Sequence, residues 1–200
     1  MKTIEFWFEF ASTYSYLSAM RIDDLAAEHG VSVVWKPFLL GPIFKSFGWE
    51  TSPFNVYPQK GTYMWRDLER RAARLGLPFQ RPDPGTGAFP QNGLTAARVA
   101  MIGLQSGWGR DFCRRIYRAQ FVEGRDISDR ALVLQTATDC GVGEDALTDA
   151  ASEPNKTALR QQTEQAASLG IFGAPSFIVG EELFWGDDRL EDALHWAGQG

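Results

Sequence analysis

The spacing of apolar residues changes along the chain. Near each end, short runs of β-branched and aromatic residues are bounded by Gly or Pro, which is typical of β-strands. Elsewhere apolar residues recur every three or four positions, which predicts helices. The predicted strands cover residues 3–9, 31–36, 176–179 and 182–184. The predicted helices cover residues 14–28, 63–75, 93–105, 110–122, 128–138, 144–151, 154–169 and 189–197.

The order of these elements predicts an α/β fold with an inserted helical block. The first strand, the first helix and the second strand form a unit whose length favours a parallel strand pair with a right-handed crossover. The other two strands follow only after the block of helices, so the sheet is interrupted in sequence. We therefore predict a discontinuous sheet domain over residues 1–58 and 170–200, and an inserted all-helical domain over residues 59–169.

Composition and charge exclude several classes of function. The net charge of −5 gives no electrostatic case for binding nucleic acid. No apolar run approaches the ~18 residues of a membrane-spanning helix, and no signal peptide is expected because glutamates interrupt the first apolar run. Cys113 and Cys140 stand in no close-spaced motif, so we expect reduced packing residues in a cytoplasmic protein. With His29 and His195 also far apart, no metal site is expected.

A turn rich in hydroxyl groups joins the first strand to the first helix. Its sequence is Ser12-Thr13-Tyr14-Ser15. A helix N-terminus presents unpaired N–H groups and a positive dipole end, which stabilise an anion such as a thiolate. The Ser12 hydroxyl cannot do redox chemistry, but it can donate a hydrogen bond to an external sulfur anion. The alternative is that Ser12, or Ser15, is an ordinary helix N-cap.

A proline stands just before the third predicted strand, in Gly173-Ala174-Pro175. If the Ala174–Pro175 bond were cis, the backbone of Ala174 could face a cleft and pair with a peptide in the manner of an added strand. Because only about 5–6% of X–Pro bonds in folded proteins are cis, a trans proline that starts the strand is the expected form.

An acidic turn precedes the last predicted helix. Asp188 and Glu191 have the spacing of a capping box, so in the structural interpretation this turn is only the start of a helix. The functional interpretation adds a binding site for an amino-acid head group, with its carboxylate on the helix amides and its ammonium on an aspartate. Asp187 and Arg189 flank this site. Both interpretations can hold together.

Basic side chains occur in the loop after the second strand and in the helix that follows. Lys60 can anchor a second carboxylate at the far end of an elongated ligand, or it can be an exposed lysine with no such role. Four arginines cluster in the helix, with acidic residues among them, and we interpret them as a solvated helix face. They are Arg66, Arg70, Arg71 and Arg74.

Taken together, four segments resemble a known family. They are FEFASTYSYL at 8–17, PQKGTY at 58–63, FGAP at 172–175 and WGDDR at 185–189. In this order they resemble 2-hydroxychromene-2-carboxylate isomerases, which are glutathione-dependent relatives of kappa-class glutathione transferases and DsbA oxidoreductases. The resemblance extends over essentially the whole chain. It implies a thioredoxin-like fold (β-α-β, then β-β-α) with a large inserted helical domain, glutathione as cofactor and a homodimer.

The resemblance also implies roles for individual residues. Ser12 corresponds to the active-site serine, and Thr13 departs from the family by replacing the usual proline. The glutathione-binding positions comprise a lysine for the glycine carboxylate, a loop asparagine, the residue before the proline and the γ-glutamyl turn. These are Lys60, Asn55, Ala174, Trp185, Gly186, Asp187 and Asp188.

The activity implied is a cis–trans isomerisation in aromatic catabolism. The glutathione thiolate adds to a conjugated double bond of 2-hydroxychromene-2-carboxylate or a related conjugated aromatic carboxylate, the resulting single bond rotates, and the thiol is expelled. A kappa-type glutathione transferase is the first alternative, and a non-catalytic thioredoxin-like protein that binds thiols or peptides is the second.

Aromatic residues are candidates for a ring pocket or for the core: Phe47, Trp49, Phe54, Trp65 and Phe89.

Overall fold

The structure, a computed structural model, describes residues 2–82, 89–143 and 148–199. Its strands are β1 Thr3–Phe8, β2 Ser32–Pro37, β3 Ser176–Val179 and β4 Glu182–Trp185. Its helices include α1 Thr13–Ala19, α2 Ile22–Glu28, α3 Leu40–Ser46, α4 Pro53–Val56, α5 Pro58–Arg74, α6 Leu94–Ser106, α7 Gly109–Phe121, α8 Arg130–Thr138, α9 Glu153–Ser168 and α10 Leu190–Gln199. A single 3₁₀ turn, Asp187–Arg189, leads into α10.

The four strands form a mixed sheet in the order β2-β1-β3-β4. β1 and β2 are parallel, whereas β3 is antiparallel to both β1 and β4. Trp7 pairs with Ser176, so the end of β1 lies beside the start of β3. The turn after β1 and the proline before β3 are therefore at the same edge of the sheet.

β1 is buried on both of its faces. Phe6 and Phe8 are fully buried in the main apolar core, whose members come from the sheet and from the helical block alike. Trp7 points to the opposite face and packs in a smaller core with Phe38 and Ile178. An aromatic strand buried on two sides explains the almost continuous apolar run of the sequence. The division into two domains stays a prediction, since both parts contribute to one core.

Two predicted segments differ from the observed elements. The helix predicted over 14–28 is two helices, because the chain bends at Met20 and Arg21; there the Arg21 Nε donates to the Leu17 carbonyl over 3.2 Å. The segment 38–58 lies outside the predicted strands and helices, and its prolines and glycines predict mostly loop with one short helical turn. It contains two helices, α3 and α4, and Ser52 caps the latter by accepting from the amide of Phe54.

Other predictions fall partly on undescribed residues. The helix predicted at 144–151 begins in the stretch 144–147. The segment between the helices predicted over 63–75 and 93–105, whose prolines and glycines predict a loop over 78–90, includes 83–88. Both stretches lie outside the described residues. Within the part of the chain that is described, no helix is long and apolar enough to cross a membrane.

Helices α6 and α7 meet at a glycine, and this contact tests the packing of the helical block. A Cβ on Gly103 would lie 2.6 Å from the Trp108 ring, whereas one on Gly198, near the end of α10, would meet nothing within 4 Å. Gly103→Ala should therefore lower the free energy of unfolding by about 1–3 kcal/mol through overpacking. Gly198→Ala should leave it unchanged or raise it slightly, because alanine favours helix. Urea unfolding of both variants measures this, and equal stabilities would refute the contact.

Candidate active site

A cavity of about 1240 Å³ opens where the end of β1 meets the start of β3. One wall comes from the turn after β1, from the residues before β3 and from the turn after β4. The other comes from α3, α5 and the segment that leads into α6. Ser12, Lys60, Ala174 and Asp188 all line it. The fold thus brings sequence-distant candidate residues to one cavity.

The Ser12 hydroxyl forms two hydrogen bonds at this cavity. Its extended backbone makes it the N-cap of α1, and its Oγ accepts from the Ser15 amide over 3.2 Å. Its hydroxyl donates to the carbonyl oxygen of Ala174 over 2.8 Å, across 162 residues of sequence. The capping role is therefore present, and it holds the hydroxyl at the wall of the cavity.

The Ala174–Pro175 peptide bond is cis, so the expectation of a trans bond was wrong. The local sequence gives only the frequency of cis bonds, whereas the isomer is set by tertiary contacts. The Pro175 carbonyl accepts from the Gly186 amide over 3.0 Å, which joins this segment to the turn after β4. A Cβ on Gly173 would overlap the Trp185 indole nitrogen, so only glycine allows this approach.

The two adjacent aspartates occupy opposite environments. Asp187 is buried, with 1% of its surface exposed. Its carboxylate accepts from the Ser18 hydroxyl at 3.0 Å, from Arg21 at 3.1 Å and from the Arg71 Nε at 3.0 Å. This carboxylate therefore joins the turn to α1, to the bend before α2 and to α5.

Asp188 is half exposed at the cavity, and its Oδ2 accepts from Arg189 over 3.0 Å. It lies inside the 3₁₀ turn, which has no side-chain cap, and α10 begins only at Leu190. The Glu191 carboxylate pairs with Arg21 over 2.7 Å. The predicted capping box is therefore replaced by two ion pairs, and Asp188 is the carboxylate of this turn that a ligand can reach.

Arg71 was missed by sequence reasoning. It lines the cavity and pairs with Asp187, so its interpretation as part of a solvated face was wrong. Its three neighbours in the cluster are exposed, as predicted. The missed signal is the period of α5, because Arg71 follows the buried Leu68 by three positions and therefore borders the buried face.

The remaining candidates differ in how they meet the cavity. The Lys60 ammonium lies 4.9 Å from the centre of the Tyr57 ring and lines the cavity. Asn55 does not line it; its amide donates to Thr51 and to the Phe89 carbonyl. Trp185, half exposed, packs on the ring of Phe172 at the rim.

The candidate aromatic residues divide between the cavity and other places. Trp49, Phe54 and Phe89 line the cavity, so an apolar ligand group would meet aromatic surface there. Trp65 is buried in the main core. Phe47 is 54% exposed and does not line the cavity. Three of the five therefore face a possible ring-binding region.

Glu9 is a second cavity residue that sequence reasoning missed. Burial raises the pKa of its carboxyl to about 7, although the amides of Ala11 and Phe10 favour the ionised form. The signal in the sequence is an acidic residue within an aromatic strand end, three positions before Ser12. In the sequence alone, Glu9 is only one of the glutamates that interrupt the first apolar run.

Neither cysteine lines the cavity. Both are free, and burial raises the pKa of the Cys113 thiol well above its usual value and that of Cys140 to about 11. Thiols with raised pKa values are poor nucleophiles at neutral pH. A sulfur nucleophile at this site must therefore come from a bound molecule.

Comparison with known proteins decides the family. A family model for the DSBA-like thioredoxin domain matches residues 3–195. The chain belongs to this family. It is 32% identical over 193 residues to a 2-hydroxychromene-2-carboxylate isomerase of Sphingobium xenophagum, with 95% of each chain covered. It is 24% identical to glutathione S-transferase kappa 1 of Homo sapiens, with 99% of this chain and 92% of that protein covered.

A solved 2-hydroxychromene-2-carboxylate isomerase has the same fold as this DsbA-like chain. The TM-score is 0.85 at 24% identity, over 98% of this chain and 95% of the other. These matches confirm the predicted fold and family, and the names of the relatives support the predicted isomerase.

The adjacent aspartates of this DsbA-like domain provide a matched test of the geometry. Asp187→Asn should lower the free energy of unfolding by about 3 kcal/mol or more, because it leaves Arg21 and Arg71 without their buried carboxylate. Asp188→Asn, at an exposed position, should change it by less than about 0.5 kcal/mol. Denaturant unfolding of both variants measures the difference. Comparable losses would show that Asp187 is not the buried partner.

Proposed function

We propose that the protein is a glutathione-dependent cis–trans isomerase acting on 2-hydroxychromene-2-carboxylate or a related conjugated aromatic carboxylate. The main support for this proposal is that the Ser12 hydroxyl and the Ala174 carbonyl are hydrogen-bonded to each other and line the same cavity. A hydroxyl that can face a thiolate stands there beside a backbone that can pair with a peptide. The names of the isomerase and kappa-class relatives point to the same chemistry.

The charges around the cavity fit a tripeptide with ionised ends. Asp188 is available for the ammonium of the γ-glutamyl unit, and Lys60 for the glycine carboxylate. Ala174 would pair with the cysteinyl backbone between them. Asp187 has the different role of fixing the turn, together with Trp185 and Gly186. Asn55 lies outside the cavity lining and has no part in this arrangement.

Binding of the cysteinyl backbone would change the partner of Ser12. In the structure its hydroxyl donates to the Ala174 carbonyl oxygen. A ligand N–H can also donate to this oxygen, and the Ser12 hydroxyl, which is free to rotate, can turn from the carbonyl to a sulfur next to that N–H. Ser12 would then donate to the thiolate, and its place at the N-terminus of α1 adds a favourable dipole. Peptide recognition and thiolate stabilisation are thereby linked.

What the cofactor supplies is a sulfur nucleophile, whose reversible addition to a conjugated double bond makes that bond single and free to rotate. The protein residues bind and orient both reactants. Trp49, Phe54 and Phe89 would pack against the aromatic ring, while Ser12 keeps the sulfur ionised.

A kappa-type glutathione transferase is the second candidate, favoured by the match to the human kappa-class enzyme. It would use the same residues but release the sulfur adduct instead of eliminating glutathione, so analysis of the products separates the two.

The proposal includes a cytoplasmic location, which the free cysteines support, and a homodimer, which the family resemblance supports.

Titration of reduced glutathione into the purified protein, followed by calorimetry, tests this proposal. We expect saturable binding at one site, and about tenfold or greater weakening in Asp188→Asn, because an ion pair with the ligand is lost. Ser12→Ala should still bind glutathione but lose the ultraviolet absorbance of the bound thiolate near neutral pH.

The matched control is Asp192→Asn. Asp192 is an exposed carboxylate that also pairs with Arg189, at 2.8 Å, but it does not line the cavity. Its loss should leave glutathione binding unchanged. The absence of wild-type binding at millimolar glutathione would exclude both enzyme proposals and favour a non-catalytic protein that binds other thiols or peptides.

A further inference from the structure

Glu9 is fixed at the cavity by contacts to its own backbone. It follows β1 directly, and its carbonyl oxygen accepts from the Ser12 amide and from the Tyr117 hydroxyl, each over 3.0 Å. The flanking Phe8 and Phe10 are buried. The side chain, which lines the cavity, therefore starts from a rigid position three residues before the proposed catalytic serine.

The start of α6 leaves room for the Glu9 carboxyl. Gly93 precedes this helix, and a Cβ built on it would lie 3.0 Å from the Glu9 Oε1 and 3.0 Å from the Phe10 Cβ. The φ of Gly93 is −82°, which any residue can adopt, so glycine is required here for space and not for conformation. The carboxyl thus lies beside the start of α6, and Glu9, Gly93 and Ser12 line the same cavity.

Among the described residues, no basic side chain forms a salt bridge with the Glu9 carboxyl. Tyr117 of α7 contacts its backbone, while Arg71 is engaged by Asp187 and Lys60 lies over Tyr57. Other ionisable groups line the cavity: Tyr14, Glu50, Tyr63, Asp67 and Asp188. The pKa of about 7 results from burial, opposed by two backbone amides, with no contribution from a neighbouring charge. Both protonation states are consequently accessible near neutral pH.

We propose that Glu9 is the proton-transfer residue of this site, acting on the oxygen of a substrate carbonyl that is conjugated to the rotating double bond. This inference rests on the proposed function. As the C–S bond forms, the π electrons move to that oxygen and the neutral Glu9 carboxyl gives it a proton. After rotation, the Glu9 carboxylate takes the proton back, the C=C bond re-forms and the C–S bond breaks. No net proton, electron or co-reactant is consumed.

Glu9→Gln tests this role, with Glu5→Gln as the matched control. Glu5 lies in β1, four residues before Glu9, and interacts with Lys36 and Trp7, away from the cavity. Glu9→Gln should lower kcat by about a hundredfold or more while glutathione binds as before. Wild-type kcat should fall as the pH rises above about 7, since the neutral carboxyl is lost, and this limb should be absent in Glu9→Gln. Glu5→Gln should behave as wild type.

A readout without turnover accompanies these kinetics. A folded-state pKa of about 7, above the ordinary 4.5, means that the folded protein holds this proton more tightly than the unfolded chain. The contribution of Glu9 to stability is full below the unfolded pKa and is lost as the pH rises through about 7. Wild-type stability should therefore fall between pH 4.5 and about 7 relative to Glu9→Gln.

A second variant, Gly93→Ala, crowds the Glu9 carboxyl without removing it and should also lower kcat.

The outcomes separate the two proposals. Without glutathione binding to the wild type, the proposed function fails whatever Glu9 does. Suppose that the wild type binds glutathione and isomerises substrate. If Glu9→Gln and Gly93→Ala then keep the wild-type kcat and its fall at alkaline pH, only the Glu9 proposal is overturned. Loss of the bound-thiolate absorbance in Glu9→Gln would also overturn it, because the carboxyl would then act on the sulfur.

Discussion

The antiparallel pairing of β1 with β3 is the constraint on which the site depends. Its register sets Trp7 opposite Ser176, so the turn after β1 and the residues before β3 lie side by side. The hydrogen bond from Ser12 to Ala174 follows from that register. A slip by one residue would turn Trp7 toward the main core and Phe6 away from it, so the packing of both faces of β1 protects the geometry of the cavity.

A buried ion-pair network connects the sheet part of the molecule to the helical block. Asp187, in the turn after β4, is held by Arg21 from the bend between α1 and α2 and by Arg71 from α5. A buried carboxylate is tolerated only when such partners satisfy it. Because the same turn presents Asp188 and the same helix presents Lys60, this network also fixes the separation of the two proposed anchors for a ligand.

Much of the fold was predictable, because it is encoded in local patterns. Aromatic strands at both ends and helical periods between them gave the interrupted sheet, and the four motifs gave Ser12 and Ala174. The predictions that failed depend on tertiary structure. Two adjacent aspartates look alike in sequence. Only the ion pairs with Arg21 and Arg71 in the folded structure distinguish the buried Asp187 from the exposed Asp188.

The same reason explains why Glu9 was not recognised. Its environment is made by Gly93 and by Tyr117, which are far along the chain, so a strand pattern alone cannot show that this carboxyl lies at a cavity. The isomer of the Ala174–Pro175 bond is likewise set by its surroundings and not by the dipeptide. Local sequence therefore predicts which segments meet, whereas ionisation and pairing of side chains need the assembled structure.

A crystal structure of the protein with reduced glutathione is the most direct test of the central claim, that Ser12 and Ala174 together bind a thiol peptide. We expect the cysteinyl N–H to donate to the Ala174 carbonyl oxygen, with the sulfur within hydrogen-bond distance of the Ser12 Oγ. Glutathione bound with its sulfur away from Ser12, while Ser12 still donates to Ala174, would contradict it.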